Sequence, residues 1–159
     1  TVAGNYLVGY SLAGAPDPGS IDISASLNGT VTACSSTAGI PDVALDASGR
    51  PVLGSTINLV TSNAPLTAVA GLSILSVSPI VGGLDLTFFG MPGCYTYQQL
   101  DVVGSLAVAG GTGSTPLSIP NTASLVGAEV FNQSVALVVG INAANMVTSN
   151  GLELSIGDI

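Results

Sequence analysis

Two cysteines, nine carboxylates and one cation hold most of the chemistry that this chain of 159 residues can offer. Histidine and lysine are absent, and Arg50 is the one basic side chain. General acid–base catalysis near neutral pH draws on a group that titrates there, most often His or a tuned Lys. Without an imidazole, Cys34 and Cys94 have no partner for a Cys–His nucleophile or a Cys–His zinc site. The serines lack a base for the same reason. Paired carboxylates could still serve a glycosidase or an aspartic protease. Here they are Asp17, Asp22, Asp42, Asp46, Asp85, Asp101, Glu129, Glu153 and Asp158, scattered and mostly beside turn residues. Asp46-Ala47-Ser48-Gly49 echoes the Asp-Thr-Gly of aspartic proteases, but it occurs once and Ala replaces Thr, so a solvated turn is the plainer account.

Cofactor chemistry is equally thin. Gly110-Gly111-Thr112-Gly113 has no following Lys and opens no helix, so it reads as a flexible loop rather than a phosphate cradle. No cofactor is expected. Calcium needs only oxygens, and Asp17 with Asp22 is the one pairing worth naming, although the spacing matches no EF-hand and exposed acids are the default. Tryptophan is absent and there are four tyrosines. Tyr6 and Tyr10 share the apolar face of an alternating segment, which favours a core or interface role over a sugar platform. Tyr95 and Tyr97 closely follow Cys94 and are expected to pack near it. Asn28-Gly-Thr and Asn132-Gln-Ser are sequons, so Asn28 and Asn132 are glycosylation candidates if the source modifies asparagine.

The two cysteines are read as one disulfide closing a long loop, which points to an oxidising, extracellular setting; two buried free thiols are the alternative. A formal net charge of −8 cannot neutralise phosphates or approach an anionic bilayer, which excludes nucleic acid and acidic membrane surfaces as partners. Mean hydropathy is +0.68, and residues 51–84 carry no charge. The window from Leu66 to Leu84 nevertheless contains Pro79, Gly71, Gly82-Gly83 and alternating serines, so strands and turns are expected there instead of a membrane span. No signal peptide is visible, and Thr1 is expected to be a mature N-terminus left by processing.

Hydrophobic residues make up 47% of the chain and aromatics 4%. With abundant Gly, Ser, Thr, Ala and Val, that mixture favours strands and turns. Val2, Tyr6, Val8, Tyr10 and Leu12 fall on one face of an alternating segment. Pro16-Asp17-Pro18-Gly19 marks a turn or linker, and residues 20–32 alternate again. Further strands are expected over 56–61, 72–78, 84–89, 97–103, 106–109 and 116–119. A longer strand pair or bulged strand is expected over 126–139, where alternation breaks near Asn132. Asn150-Gly151 reads as a hairpin turn between two strands. About ten short strands and no long helix predict an all-β, antiparallel β-sandwich, Ig-like or jelly-roll-like, with one disulfide and an extra N-terminal strand segment. The division is residues 1–31 for that segment and 32–159 for the sandwich.

From about 32 to 158 the chain resembles an uncharacterised C-terminal β-sandwich domain of secreted proteins from Planctomycetes and related bacteria. The resembling stretches are Cys34 with Gly39-Ile-Pro41, Gly49-Arg-Pro-Val-Leu-Gly54, Phe89-Gly-Met-Pro-Gly-Cys94, Ile119-Pro-Asn121, Leu125-Val-Gly127 and Thr148-Ser-Asn-Gly151 leading into Ile156-Gly157. In that family the domain trails hydrolases or other secreted modules, and its cysteines look like a disulfide pair. The resemblance implies a secreted or cell-surface location and brings no catalytic motif with it. Here about thirty residues with two alternating strands stand where the larger module would be. An apolar strand there can complete its own sandwich, pair with a neighbour or be a passive leader. The expectation is a non-catalytic structural subunit of a filament or surface layer, self-associating through residues 1–12 as a donor strand. A secreted binding or anchoring module, such as an adhesion or accessory domain, is the alternative.

Overall fold

The computed structural model describes residues 19–22, 34 and 42–158, and the fold is all-β. Among the described residues ten strands follow in order: β1 Gly19–Asp22, β2 Ala44–Ala47, β3 Thr56–Ser62, β4 Ala70–Ser76, β5 Pro79–Asp85, β6 Tyr95–Gln98, β7 Val102–Ala109, β8 Thr112–Ser118, β9 Glu129–Leu137 and β10 Met146–Ser155. Eight form one antiparallel run in the order β1-β10-β9-β4-β7-β8-β3-β2, and β5 pairs with β6 as a separate ribbon. The eight-stranded run folds over on itself at the β7–β8 hairpin. Five strands (β1, β10, β9, β4, β7) then face three (β8, β3, β2), making a sandwich that approaches a barrel. The uncharged stretch 51–84 supplies β3, β4 and most of β5. Among the described residues no helix is long and apolar enough to cross a membrane.

The corner is made by glycine. Gly110 and Gly111 have φ of 60° and 80°, the pair of positive values that a two-residue type I′ turn requires, and Ala109 pairs directly with Thr112 across it. A Cβ on Gly111 would lie 2.8 Å from Ala64 O, so the hairpin also fits closely under the loop after β3. The expected flexible loop is therefore a tight turn.

The core is filled in two parts. Near the hairpin, Val43, Ala64, Met91, Leu106, Val108 and Val147 pack around the disulfide between Cys34 and Cys94. At the other end Leu45, Ile57, Leu59, Leu152 and Leu154 meet between the two faces. Between the two, Thr61 Oγ1 and Ser134 Oγ hydrogen-bond across the sandwich at 2.7 Å. The β5–β6 ribbon covers the outside of the five-stranded face, where buried Tyr97 packs on Phe131.

Several expected elements need correction. Asn150-Gly151 is no hairpin turn: β10 runs unbroken from Met146 to Ser155, with a bulge between Thr148 and Gly151. The strand expected over 84–89 ends at Asp85, and Thr87–Phe89 is a single 3₁₀ turn with Phe88 exposed. The region 126–139 holds one strand, and Asp46 lies within β2. Of the strand expected over 20–32, residues 20–22 belong to β1, and the rest lies outside the described residues.

Candidate functional site

The two lateral seams of the sandwich are finished differently, and the difference defines the candidate site. On one side β2 approaches β10, and the bulge in β10 turns Asn150 toward it. The Asn150 side chain acts as a strip of backbone: Leu45 N–H donates to Asn150 Oδ1 (2.7 Å), and Asn150 Nδ2 donates to Leu45 O (3.1 Å). Lower down, Leu53 N donates to Gly157 O and Gly157 N to Pro51 O, each at 3.0 Å, around a parallel bridge from Val52 to Gly157. This seam is closed.

The opposite seam, between β7 and β8, is not. β7 pairs with β4 from Val102 to Ala107 but meets β8 only at Val108 and Ala109. β8 in turn pairs with β3 from Gly113 to Ser118. Below the hairpin the two strands therefore diverge, and among the described residues each has one partnered edge and one edge with no strand paired to it. The opening between them is a cavity of about 170 Å³ with Ser73, Leu75 and Asn132 on its floor, Val102 and Gly104 on one wall, and Thr115 to Leu117 on the other. Among the described residues no charged side chain lines it. Pro116 has no N–H, which removes one donor from β8 and discourages casual edge-to-edge pairing.

Asn132 gives the cavity its polarity. It is wholly buried, and its Nδ2 donates to Ile74 O (2.9 Å) and Ser73 Oγ (3.1 Å). Because a carbonyl can only accept, the Ile74 contact fixes which end of the amide is nitrogen. The Oδ1 end is left buried with no hydrogen-bond partner, as is Thr115 Oγ1 in the facing wall. Two orphan polar atoms in one mostly apolar cavity are unusual, since a buried group without a partner costs on the order of 1–3 kcal/mol. The same burial corrects the sequon reading of Asn132: its amide nitrogen is engaged inside the fold, and a glycan on it is incompatible with this packing. Below the cavity, Asp101 Oδ2 accepts from Ser76 Oγ (2.7 Å) and Val77 N (3.2 Å), which gathers exposed Val77, Leu100 and Val102 at its mouth.

The neighbouring side of β9 shows what full satisfaction looks like. Gln133 points to the other face, where its Nε2 donates to Tyr95 O and Ser149 O and its Oε1 accepts from Tyr97 N. Ser149 Oγ accepts from Ser134 N in the β10 bulge. This buried polar run, Asn132-Gln133-Ser134, is the physical reason that hydrophobic alternation breaks in β9.

The remaining candidates fall apart spatially or lie elsewhere. Cys34 and Cys94 form the disulfide, and Thr148 N donates to Cys34 Sγ at 3.1 Å while Thr148 Oγ1 donates to Tyr95 O, which places Tyr95 beside the crosslink. Val2, Tyr6, Val8, Tyr10, Leu12, Asp17 and Asn28 lie outside the described residues. Among the described residues no three of His, Cys, Asp and Glu gather into a group that could hold a metal ion. Asp85, fully exposed, has its pKa lowered by hydrogen bonds from the side chain and backbone of Thr87. Glu153, half-buried, has its pKa raised, first by desolvation and then by the charge of Glu129. Sequence reasoning missed the β7–β8 cleft altogether. Its one visible signal was the polar break at Asn132 in an otherwise apolar segment. In comparisons with family models, curated proteins and solved structures, none matches the chain.

Proposed function

We propose that this protein is a non-catalytic structural subunit of an extracellular filament or surface layer, and that copies join by β-strand addition, with residues 1–12 of one copy as the added strand. The observation that carries the reading is the β7–β8 seam, where two strand edges without a partner strand among the described residues flank an apolar opening. A free edge offers backbone donors and acceptors in a row, and an added strand takes both those bonds and the side-chain pockets between them. Each subunit then gives a strand and receives one. Such head-to-tail contacts propagate into open filaments unless rotation closes a ring. The disulfide and the lack of a membrane-crossing helix among the described residues are compatible with life outside the cell.

Negative-stain electron microscopy of the native, unreduced protein tests this directly, with a Val8→Asp variant as the control. Filaments of regular repeat in the native protein, lost in the variant, support the proposal. Discrete particles of single-copy size in both overturn it. The second reading, a secreted binding or anchoring module, draws on the mostly apolar opening between β7 and β8 as a ligand pocket. Specific retention of monomeric protein on a glycan array or on cell-wall material favours that reading.

A further inference from the structure

We infer that the hairpin end of the sandwich seats on an uncharged lipid surface, where Phe88, Phe89, Val139, Leu66 and Val69 enter the headgroup layer of a zwitterionic bilayer. The inference is independent of how copies join, because it concerns a surface that strand addition does not use.

Three connections and the β7–β8 turn meet at this end. Ala70 pairs with Leu137, so Val69 and Val139 lie just beyond the ends of adjacent strands. The 3₁₀ turn Thr87–Phe89 lies against the β9–β10 connection, where Ala144 N donates to Gly90 O at 3.4 Å. The β3–β4 connection is tied to the hairpin by Ala64 N, which donates to Gly111 O at 3.0 Å. Beneath them Ala64, Ala68, Met91 and Val138 belong to the core cluster that contains Cys34 and Cys94. The connections are therefore held from below while their outer side chains stand in solvent. Phe88 and Val139 are each 92% exposed, Leu66 82% and Val69 79%. Apolar side chains gathered at one end of a molecule mark an interaction surface.

Charge says what kind of partner this surface fits. Residues 63–69, 86–94, 110–111 and 138–145 include no charged side chain. Asp101, Glu129, Glu153 and Asp158 stand at the opposite end, where β7 and β9 begin and β10 finishes. Asp42 and Asp85 are the acids nearest the tip in sequence, and Asp85 is bound back to Thr87 N at 2.7 Å. A tip without a cation has nothing to hold anionic headgroups, and the acids behind it are repelled by them. Zwitterionic headgroups impose neither penalty.

Relief and backbone point the same way. Phe88 and Phe89 meet edge to face with ring centres 5.6 Å apart, while Val139, Leu66 and Val69 project from other connections. A protein partner would need a pit matched to each projection, whereas fluid lipid closes around all of them. Backbone polar groups that leave water need internal partners. Here Gly140 N donates to Asn145 Oδ1, Val138 N to Asn145 O, Phe89 N to Leu86 O and Gly90 N to Thr87 O.

The experiment is flotation of the full chain with phosphatidylcholine vesicles, repeated with vesicles containing phosphatidylglycerol. Phe88→Ser and Val139→Ser probe the tip, and Leu100→Ser probes an exposed apolar residue at the other end, with thermal unfolding of each variant. Because the chain has no tryptophan, Phe88→Trp and Leu100→Trp each add a single fluorescent reporter.

Native protein should float with phosphatidylcholine and less well as phosphatidylglycerol is added. Phe88→Ser should weaken partition roughly tenfold, the loss expected for an apolar side chain of that size, and Val139→Ser by a smaller factor. Both should keep the native unfolding temperature, and Leu100→Ser should float like the native protein. Vesicles should shift Phe88→Trp emission to the blue and leave Leu100→Trp unchanged. Native protein that stays off phosphatidylcholine, or a Phe88→Ser variant that floats equally well, overturns the inference. So does a blue shift of Phe88→Trp with rising protein concentration in the absence of lipid, which would mean that a second copy covers the tip.

Discussion

Asparagine does two opposite jobs in the two seams of this sandwich. Asn150 uses both ends of its amide on the backbone of Leu45 and so replaces a missing rung between β2 and β10. Asn150→Ala would leave that N–H and C=O without partners inside the fold, at a cost of about 2 kcal/mol. Urea unfolding should show the loss, and amide exchange at Leu45 should accelerate more than at Leu59 in the neighbouring strand. Asn132, by contrast, satisfies its nitrogen on Ile74 O and Ser73 Oγ and leaves its oxygen buried without a partner. Glu153 supplies a pH signature at the same scale. Burial and Glu129 raise its folded pKa, so the folded state holds that proton more tightly than the unfolded chain does. Stability therefore falls as pH climbs from the usual glutamate range through the raised folded value, and stays level above it. Glu153→Gln should flatten this part of the profile, stabilising the protein at neutral pH and leaving it unchanged in acid where Glu153 is protonated anyway. A denaturation series across that range checks the sign.

At the level of elements, the disulfide and the hairpin decide how the sandwich closes. Cys34 and Cys94 are 60 residues apart in sequence, and closing a loop of that length removes unfolded-state entropy worth about 4 kcal/mol. The crosslink also holds residue 34 against Thr148 in β10, through Cys34 N to Thr148 O at 3.2 Å. A Cys34→Ala/Cys94→Ala variant should unfold at clearly lower urea, and disulfide reduction of the native protein should match it. The strand content, the antiparallel sandwich and this crosslink were legible because alternation, turn residues and a pair of cysteines are local signals. The β3 strand Thr56–Ser62 came through nearly intact for that reason. Asn150-Gly151 misled because the dipeptide that favours a hairpin also suits a bulge, and only the neighbouring strands decide between them. The β9 segment resisted assignment because Asn132, Gln133 and Ser134 are buried on both faces, so polarity no longer reports exposure. The cleft was invisible for a deeper reason. It arises from β7 and β8 taking different partners, β4 and β3, and no residue pattern within either strand records that choice.

For the whole molecule, the governing quantity is charge. One cation against nine carboxylates gives every copy a formal −8, and the proposed polymerisation would bring these like charges together. Asp42, Asp46, Asp85, Asp101, Glu129 and Asp158 are exposed and Glu153 is half-buried, so their repulsion acts mainly through solvent and is open to screening. The contact proposed here is itself uncharged, and its binding strength should depend little on salt. The repulsion between copies should depend on salt strongly. Raising ionic strength from about 0.01 M to about 0.15 M shortens the screening length from about 30 Å to about 8 Å, less than the width of a subunit. The concentration needed for assembly should therefore fall over that range. Light scattering against concentration at the two salt levels gives the answer. A threshold that rises with salt would mean that complementary charges hold the copies together, which would overturn an uncharged contact in a chain whose one basic side chain is Arg50.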